Sequence, residues 1–177
     1  MTIDYRITKE EHLWTSDEKI KWFGHGEWVE ELDTIEFDYL GYQARVNRIV
    51  FKEPYSKKEH YFGGHLCGYV RIPNDHNIYL KKYNADELDC HGGITFNEMH
   101  EEHWVGFDCA HSGDYLPSTE YLYKTDPQMI AIRKCFSLPK GYEKFGLFNP
   151  VYRNMEYCIQ ECIGIIDQLV TLAKVPL

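Results

Sequence analysis

The stretch from Tyr152 to Lys174 constrains the fold more than any other part of this chain. Its apolar residues fall at Met155, Cys158, Ile159, Cys162, Ile163, Ile166, Leu169, Val170 and Ala173, a helical spacing with one broad apolar face. Such a helix cannot hide that face alone, so the rest of the chain must supply a second apolar layer. Asn149 and Pro150 offer a cap and a first-turn proline, and Pro176 lies beyond the end. Cys158 and Cys162 stand one turn apart on the apolar face and read as core, because two cysteines do not complete a metal site.

Strands supply the second layer. From Glu36 to Phe51, the residues Phe37, Tyr39, Tyr42, Ala44 and Val46 alternate with polar neighbours around Gly41, which predicts a hairpin. A charged loop follows over Glu53 to Glu59, and then Leu66 to Ile72 reads as a more buried strand, stopped by Pro73 and Asn74. Ile94 to Phe96 and Trp104 to Asp108 flank a polar turn and predict a second hairpin. Short helices are expected over Glu10 to Lys21, ending near Gly24-His25-Gly26, and over Thr125 to Phe136 with Pro127 near its start. No β-α-β alternation is visible. The expected fold is therefore α+β, a mostly antiparallel sheet with a long C-terminal helix. The expected organisation is one domain over residues 1–177, with residues 1–30 a peripheral N-terminal segment.

Charge and composition limit the partners. The chain carries a formal net charge of −9, and its pI near 5.4 opposes a nucleic-acid backbone as main partner. No window approaches the roughly 18 consecutive apolar residues of a membrane span, so no membrane partner is expected. The start, MTIDYRITKEEHLW, is not a signal sequence. The six cysteines contain no Cys-x-x-Cys pair and read as reduced and mostly buried, which predicts a cytoplasmic protein. Aromatic residues make up 15% of the chain, enough both to fill a core and to line a pocket for a flat ligand.

Polar, glycine-rich clusters punctuate the strands at Gly63-Gly64-His65, at His91-Gly92-Gly93-Ile94-Thr95 and from Gly106 to Tyr115. Glycine beside a strand end allows positive φ and close approach of a ligand to the backbone. His91 before two glycines projects from an uncrowded turn, where it can donate a hydrogen bond, act as acid or base, or bind a metal. Asp108, His111 and Asp114 recur every third residue just past a strand. With His91 across the hairpin, they make a two-histidine, two-carboxylate set for a divalent metal, the one cofactor these residues suggest. The same carboxylates are equally suited to capping their own turns. Arg45 and Arg48 are candidate partners for an anionic ligand, as are the turn amides of Gly92, Gly93 and Thr95. Cys109 reads as packed rather than nucleophilic, and the histidines at 12, 60, 100 and 103 read as loop residues without a specific task.

Three motifs, Gly64-His-Leu-Cys-Gly-Tyr-Val-Arg-Ile-Pro73, His91-Gly-Gly-Ile-Thr-Phe96 and Val105-Gly-Phe-Asp-Cys-Ala-His-Ser-Gly-Asp-Tyr-Leu-Pro117, resemble a family of small proteins encoded by bacteriophages and prophages. The opening of the last helix, Tyr152 to Cys162, resembles that family too, and the likeness spans residues 36 to 172. It implies a phage origin and, for a small phage protein, a role in countering host defence. The expected function is binding of a small polar, nucleotide-like ligand, such as a host immune signal held out of circulation. Its aromatic faces and Tyr115 would stack a base, with His91, Asp108, Asp114 and the arginines on ribose or phosphate. The alternative is a metal-dependent hydrolase with Asp108, His111 and Asp114 holding the ion and His91 as ligand or base, which makes His91, Asp108 and His111 the catalytic candidates. A third reading is an inhibitor that docks on a host protein through its acidic, aromatic surface.

Overall fold

The computed structural model describes residues 4–53, 59–78, 84–135 and 150–174. Strands β1 (Arg6–Glu11), β2 (Thr34–Tyr39), β3 (Tyr42–Lys52), β4 (Tyr61–Ile72), β5 (Phe96–Met99) and β6 (His103–Asp108) form a sheet in the order β1-β2-β3-β4-β6-β5. Every neighbouring pair is antiparallel. Helices α1 (Ser16–Phe23), α2 (Pro117–Thr125), α3 (Pro127–Cys135) and α4 (Met155–Lys174) accompany it. The fold is α+β with a long C-terminal helix, as the sequence patterning predicts. Among the described residues, no helix is long and apolar enough to cross a membrane.

The β2–β3 hairpin has its cause at residues 40 and 41. Leu40 and Gly41 both take positive φ, at 49° and 84°, as the two-residue turn that matches strand twist requires. The period-2 pattern then sets which face is inside. Phe37, Ala44 and Val46 are buried, and with Leu66, Val70, Val105 and Phe107 they meet Cys158, Ile159, Cys162, Ile165, Ile166 and Leu169 of α4. Gly68 marks a close approach of sheet and helix. A Cβ there would stand 2.4 Å from the Phe107 ring and 2.7 Å from Cys162 Sγ, so a larger residue would push the helix off the sheet.

Several boundaries differ from expectation. The helix expected from Glu10 begins at Ser16, because Thr15 and Glu18 cap it reciprocally. Glu10 and Glu11 belong instead to β1, which pairs with β2 as an edge strand. The fifth strand runs over Phe96–Met99 rather than Ile94 to Phe96. Helix α2 has no counterpart in the sequence reading; α3 matches the expected one, its first turn capped by Asp126, whose Oδ1 accepts from the Gln128 N–H at 2.9 Å. The cap of α4 is Asn154, which accepts from the Tyr157 N–H at 3.0 Å, while Asn149 lies outside the described residues. His103 is buried in β6, its Nε2 2.8 Å from Asn97 Oδ1, and is not a loop residue.

A buried ionic cluster joins the N-terminal segment to the sheet and to the approach to α4. Asp33 is fully enclosed; its Oδ1 lies 2.6 Å from Arg48 Nε and 3.0 Å from Lys19 Nζ. Its Oδ2 accepts the backbone N–H groups of Leu13 and Trp14 at 2.9 and 3.0 Å. Arg48 also reaches Glu31 at 2.7 Å, the Gly64 carbonyl at 2.9 Å and the Tyr152 hydroxyl at 2.9 Å. Two cations face two carboxylates, so the cluster is formally neutral. Removing one partner strands a buried charge, at a typical cost of about 3–5 kcal/mol. Arg48→Met is therefore expected to lower unfolding free energy by about that amount in urea titrations. A loss under about 1 kcal/mol would show that the cluster does not hold the fold.

Candidate functional site

Strand β6 ends at Asp108, and the chain turns back on itself through two capped turns. Asp108 Oδ1 accepts the Ala110 N–H at 2.9 Å, and Asp114 Oδ2 accepts the His111 N–H at 3.0 Å. The capping roles are thus present, and Asp114 carries more than one. Residues 113–115 are tied to the approach to α4, with the Val151 N–H on the Gly113 carbonyl at 2.8 Å and the Tyr115 N–H on the Val151 carbonyl at 3.0 Å. Arg153 Nε then donates to Asp114 Oδ1 at 3.1 Å.

The second loop brings His91. Its backbone N–H donates to Glu161 Oε2 at 2.7 Å, its Nδ1 lies 3.0 Å from the Tyr157 hydroxyl, and its Nε2 lies 2.8 Å from Asp114 Oδ2. Gly92 makes this approach possible. It has φ +68°, and a Cβ there would fall 2.2–2.5 Å from atoms of the His111 ring. His91 and His111 consequently stand ring to ring, centroids 5.5 Å apart and nearly perpendicular. His111 Nδ1 is enclosed without a hydrogen-bond partner, 3.5 Å from Asp108 Oδ1 and 3.9 Å from Asp114 Oδ2.

One ligand atom from each of His91, His111 and Asp114 falls within 4.8 Å of the other two. Burial pulls the Asp114 pKa upward, but hydrogen bonds from His91, the His111 N–H and Arg153 outweigh it, and the carboxyl stays below its ordinary range. Asp114 is therefore a carboxylate at any physiological pH. Burial and the charge of Glu161 push the Tyr157 hydroxyl up to about 12, so it remains a hydroxyl. Among the described residues, Asp114 itself and the carboxylates of Asp108 and Glu161 that contact the other two candidate ligands are met by the guanidinium of Arg153. Three negative charges against one positive leave a formal excess of two.

The other predicted site residues lie elsewhere. Arg48 is enclosed in the ionic cluster with its donors engaged. Arg45, three residues along β3, faces the opposite side of the sheet, between Trp104 at 4.5 Å and Tyr69 at 5.0 Å. Thr95 extends the sheet, its N–H on the Gly106 carbonyl at 2.9 Å. Tyr115 stacks on Trp28 with centroids 5.4 Å apart. Gly93 closes the His91 turn, its N–H on the Cys90 carbonyl at 3.0 Å. Cys109 is buried with Sγ 3.6 Å from Cys158 Sγ; that contact and burial raise its thiol pKa, which fits the packed reading.

Sequence reasoning passed over Arg153, Tyr157 and Glu161, since α4 reads as a core element. The available signal was Tyr157 and Glu161, four apart, bordering the apolar face. His65, also passed over as a site residue, is buried on β4 with Nδ1 unpartnered.

Gly92→Ala should displace His111 or the His91 turn and weaken the fold by about 1–3 kcal/mol; unchanged His91 and His111 side-chain NMR shifts would refute the contact. Burial lowers the pKa of His65 and of His103 below the ordinary 6.5. The unfolded chain then binds more protons than the folded one as pH falls below 6.5, so stability present above that pH is lost on acidification. Urea titrations between about pH 7.5 and 5.5 should show that decline, made shallower by His65→Asn; an identical slope in the variant would exclude His65 as a contributor. Comparison of the chain with protein-family models, with curated proteins and with solved structures finds no match.

Proposed function

We propose that the protein is a divalent-metal-dependent hydrolase acting on a small polar substrate in the cytoplasm, with His91, His111 and Asp114 as the ligands of the ion. The observation that carries this reading is the convergence of two imidazoles and a carboxylate from two separate loops, their ligand atoms within 4.8 Å of one another. Nitrogen and oxygen ligands sit about 2.0–2.2 Å from zinc and so about 3–4 Å from each other. Small side-chain rotations bring the present arrangement into that range. The formal excess of two negative charges supports a dication, and a three-ligand shell leaves positions for water and substrate.

In this reading His91, His111 and Asp114 would hold the ion, which would supply Lewis-acid activation of water as a nucleophile near neutral pH. Asp108, 30% exposed and 3.5 Å from His111 Nδ1, is a carboxylate beside the candidate ligands that could serve as a general base. Arg153 holds the distal oxygen of Asp114, which fixes the carboxylate with one oxygen toward the ion. The rival reading, a pocket that sequesters a nucleotide-like ligand, calls for an arginine beside His91. With Arg45 across the sheet and Arg48 enclosed, the guanidinium that reaches this site among the described residues is that of Arg153, which Asp114 already engages.

The test is metal stoichiometry and affinity by calorimetry with Zn²⁺ and Mn²⁺, paired with hydrolysis assays on ester, amide and phosphodiester probes with and without chelator. The wild-type chain should bind one ion, and His111→Ala and Asp114→Asn should each weaken binding by about 100-fold or more. Absence of binding at millimolar metal would overturn the reading, and one-site binding without turnover of any probe would reduce it to a structural ion.

A further inference from the structure

We infer that Tyr157 and Glu161 form a hydrogen-bond relay that lets His91 change tautomer when an ion binds, and that they are the positioning residues of the site. The inference rests on the metal-ion reading above.

Its basis is the geometry on the two sides of one imidazole. His91 Nε2 faces Asp114 Oδ2 at 2.8 Å. A carboxylate only accepts hydrogen bonds, so without an ion Nε2 must carry a proton. In a neutral ring Nδ1 is then the acceptor, and the Tyr157 hydroxyl 3.0 Å away is its donor. An ion at Nε2 needs the lone pair there, so the ring must carry its proton on Nδ1 instead.

The far side of the ring is built for that exchange. Once Nδ1 bears the proton, it can donate to the Tyr157 oxygen only if the hydroxyl hydrogen turns elsewhere. Glu161 is the group placed to take it: its Oε2 accepts the His91 backbone N–H at 2.7 Å, which sets the carboxylate beside the His91 ring and the Tyr157 hydroxyl bonded to it. The loaded chain of bonds runs from the ion to Nε2, from Nδ1–H to the tyrosine oxygen, and from the tyrosine O–H to the glutamate. Proton count balances, since the proton lost at Nε2 is regained at Nδ1 and the hydroxyl keeps its own while rotating. Metal-binding histidines commonly fix their tautomer through such a second partner. Here Tyr157 serves both tautomers because a hydroxyl donates or accepts.

Long-range ¹⁵N NMR of the full chain reads the tautomer of His91 directly. The ion-free protein should show the proton on Nε2, and the protein titrated with Zn²⁺ should show it on Nδ1. Tyr157→Phe removes the acceptor and should weaken Zn²⁺ binding about 10–100-fold in calorimetry, with the thermal midpoint little changed. Glu161→Gln keeps an acceptor while removing one of the site's negative charges, and should weaken Zn²⁺ binding less than Tyr157→Phe does. A Tyr157→Phe variant that binds zinc like wild type would overturn the relay while leaving the metal site intact, and a zinc-loaded His91 still protonated on Nε2 would overturn both the relay and His91 as a ligand through that atom. A wild-type chain that binds no zinc would remove the metal reading and the relay with it.

Discussion

The arrangement of this protein hangs on the enclosed carboxylate of Asp33. Around it the guanidinium of Arg48 and the ammonium of Lys19 lie at hydrogen-bond distance, and the backbone of residues 13 and 14 donates to its second oxygen. Isolated charges in such a place would be costly, so the cluster is tolerable only when complete. Completeness requires α1, the Glu31–Asp33 segment, β3 and Tyr152 together. Glu31 bonds both the Arg48 guanidinium and the Met155 N–H, the latter at 2.6 Å. The N-terminal segment therefore sets where α4 begins, and residue 153, next to Tyr152, is the one that grips Asp114. The Glu31–Asp33 segment thereby links the ionic cluster to the candidate site.

Helix α4 works in two directions. Cys158, Ile159, Cys162 and Ile166 face the sheet, while Tyr157 and Glu161, adjacent to two of them in sequence, reach the His91 loop. The close seat of the helix at Gly68 fixes both sets at once. Any change that lifts the helix by the width of a methyl group moves the site as well as the core.

The legible parts of the fold were those with an undisturbed period. The 36–51 hairpin has alternation and a turn glycine, and α4 keeps its apolar positions over five turns, so each was readable. Strand β1, Arg-Ile-Thr-Lys-Glu-Glu, is an exposed edge whose charged residues carry no inside–outside signal. Helix α2 starts at Pro117 without a side-chain cap, and its face is set by contact with β4 rather than by periodicity. At the site, glycine-flanked His91 and the Asp-x-x-His-x-x-Asp run were visible because turns demand those residue types. Arg45 and Arg48 were misleading as a pair, since three residues along a strand place side chains on opposite faces. Arg153, Tyr157 and Glu161 were hidden because their roles depend on where α4 crosses the loops.

The candidate ligands are held before any ion arrives. Asp114 keeps the His111 N–H and Arg153 as partners whichever way His91 is protonated, so an ion would replace only the His91 contact. Gly92 presses the His91 loop against His111 by a packing that no larger residue allows, and His111 Nδ1 faces the gap with nothing bonded to it. The ordering of these side chains is thus met during folding by turns, caps and the helix, which leaves an incoming ion little conformational entropy to overcome. A carboxylate already fixed by its own backbone is a better-placed ligand than one free to rotate, so under the proposed reading the turn-capping role of Asp114 would support its chemical one.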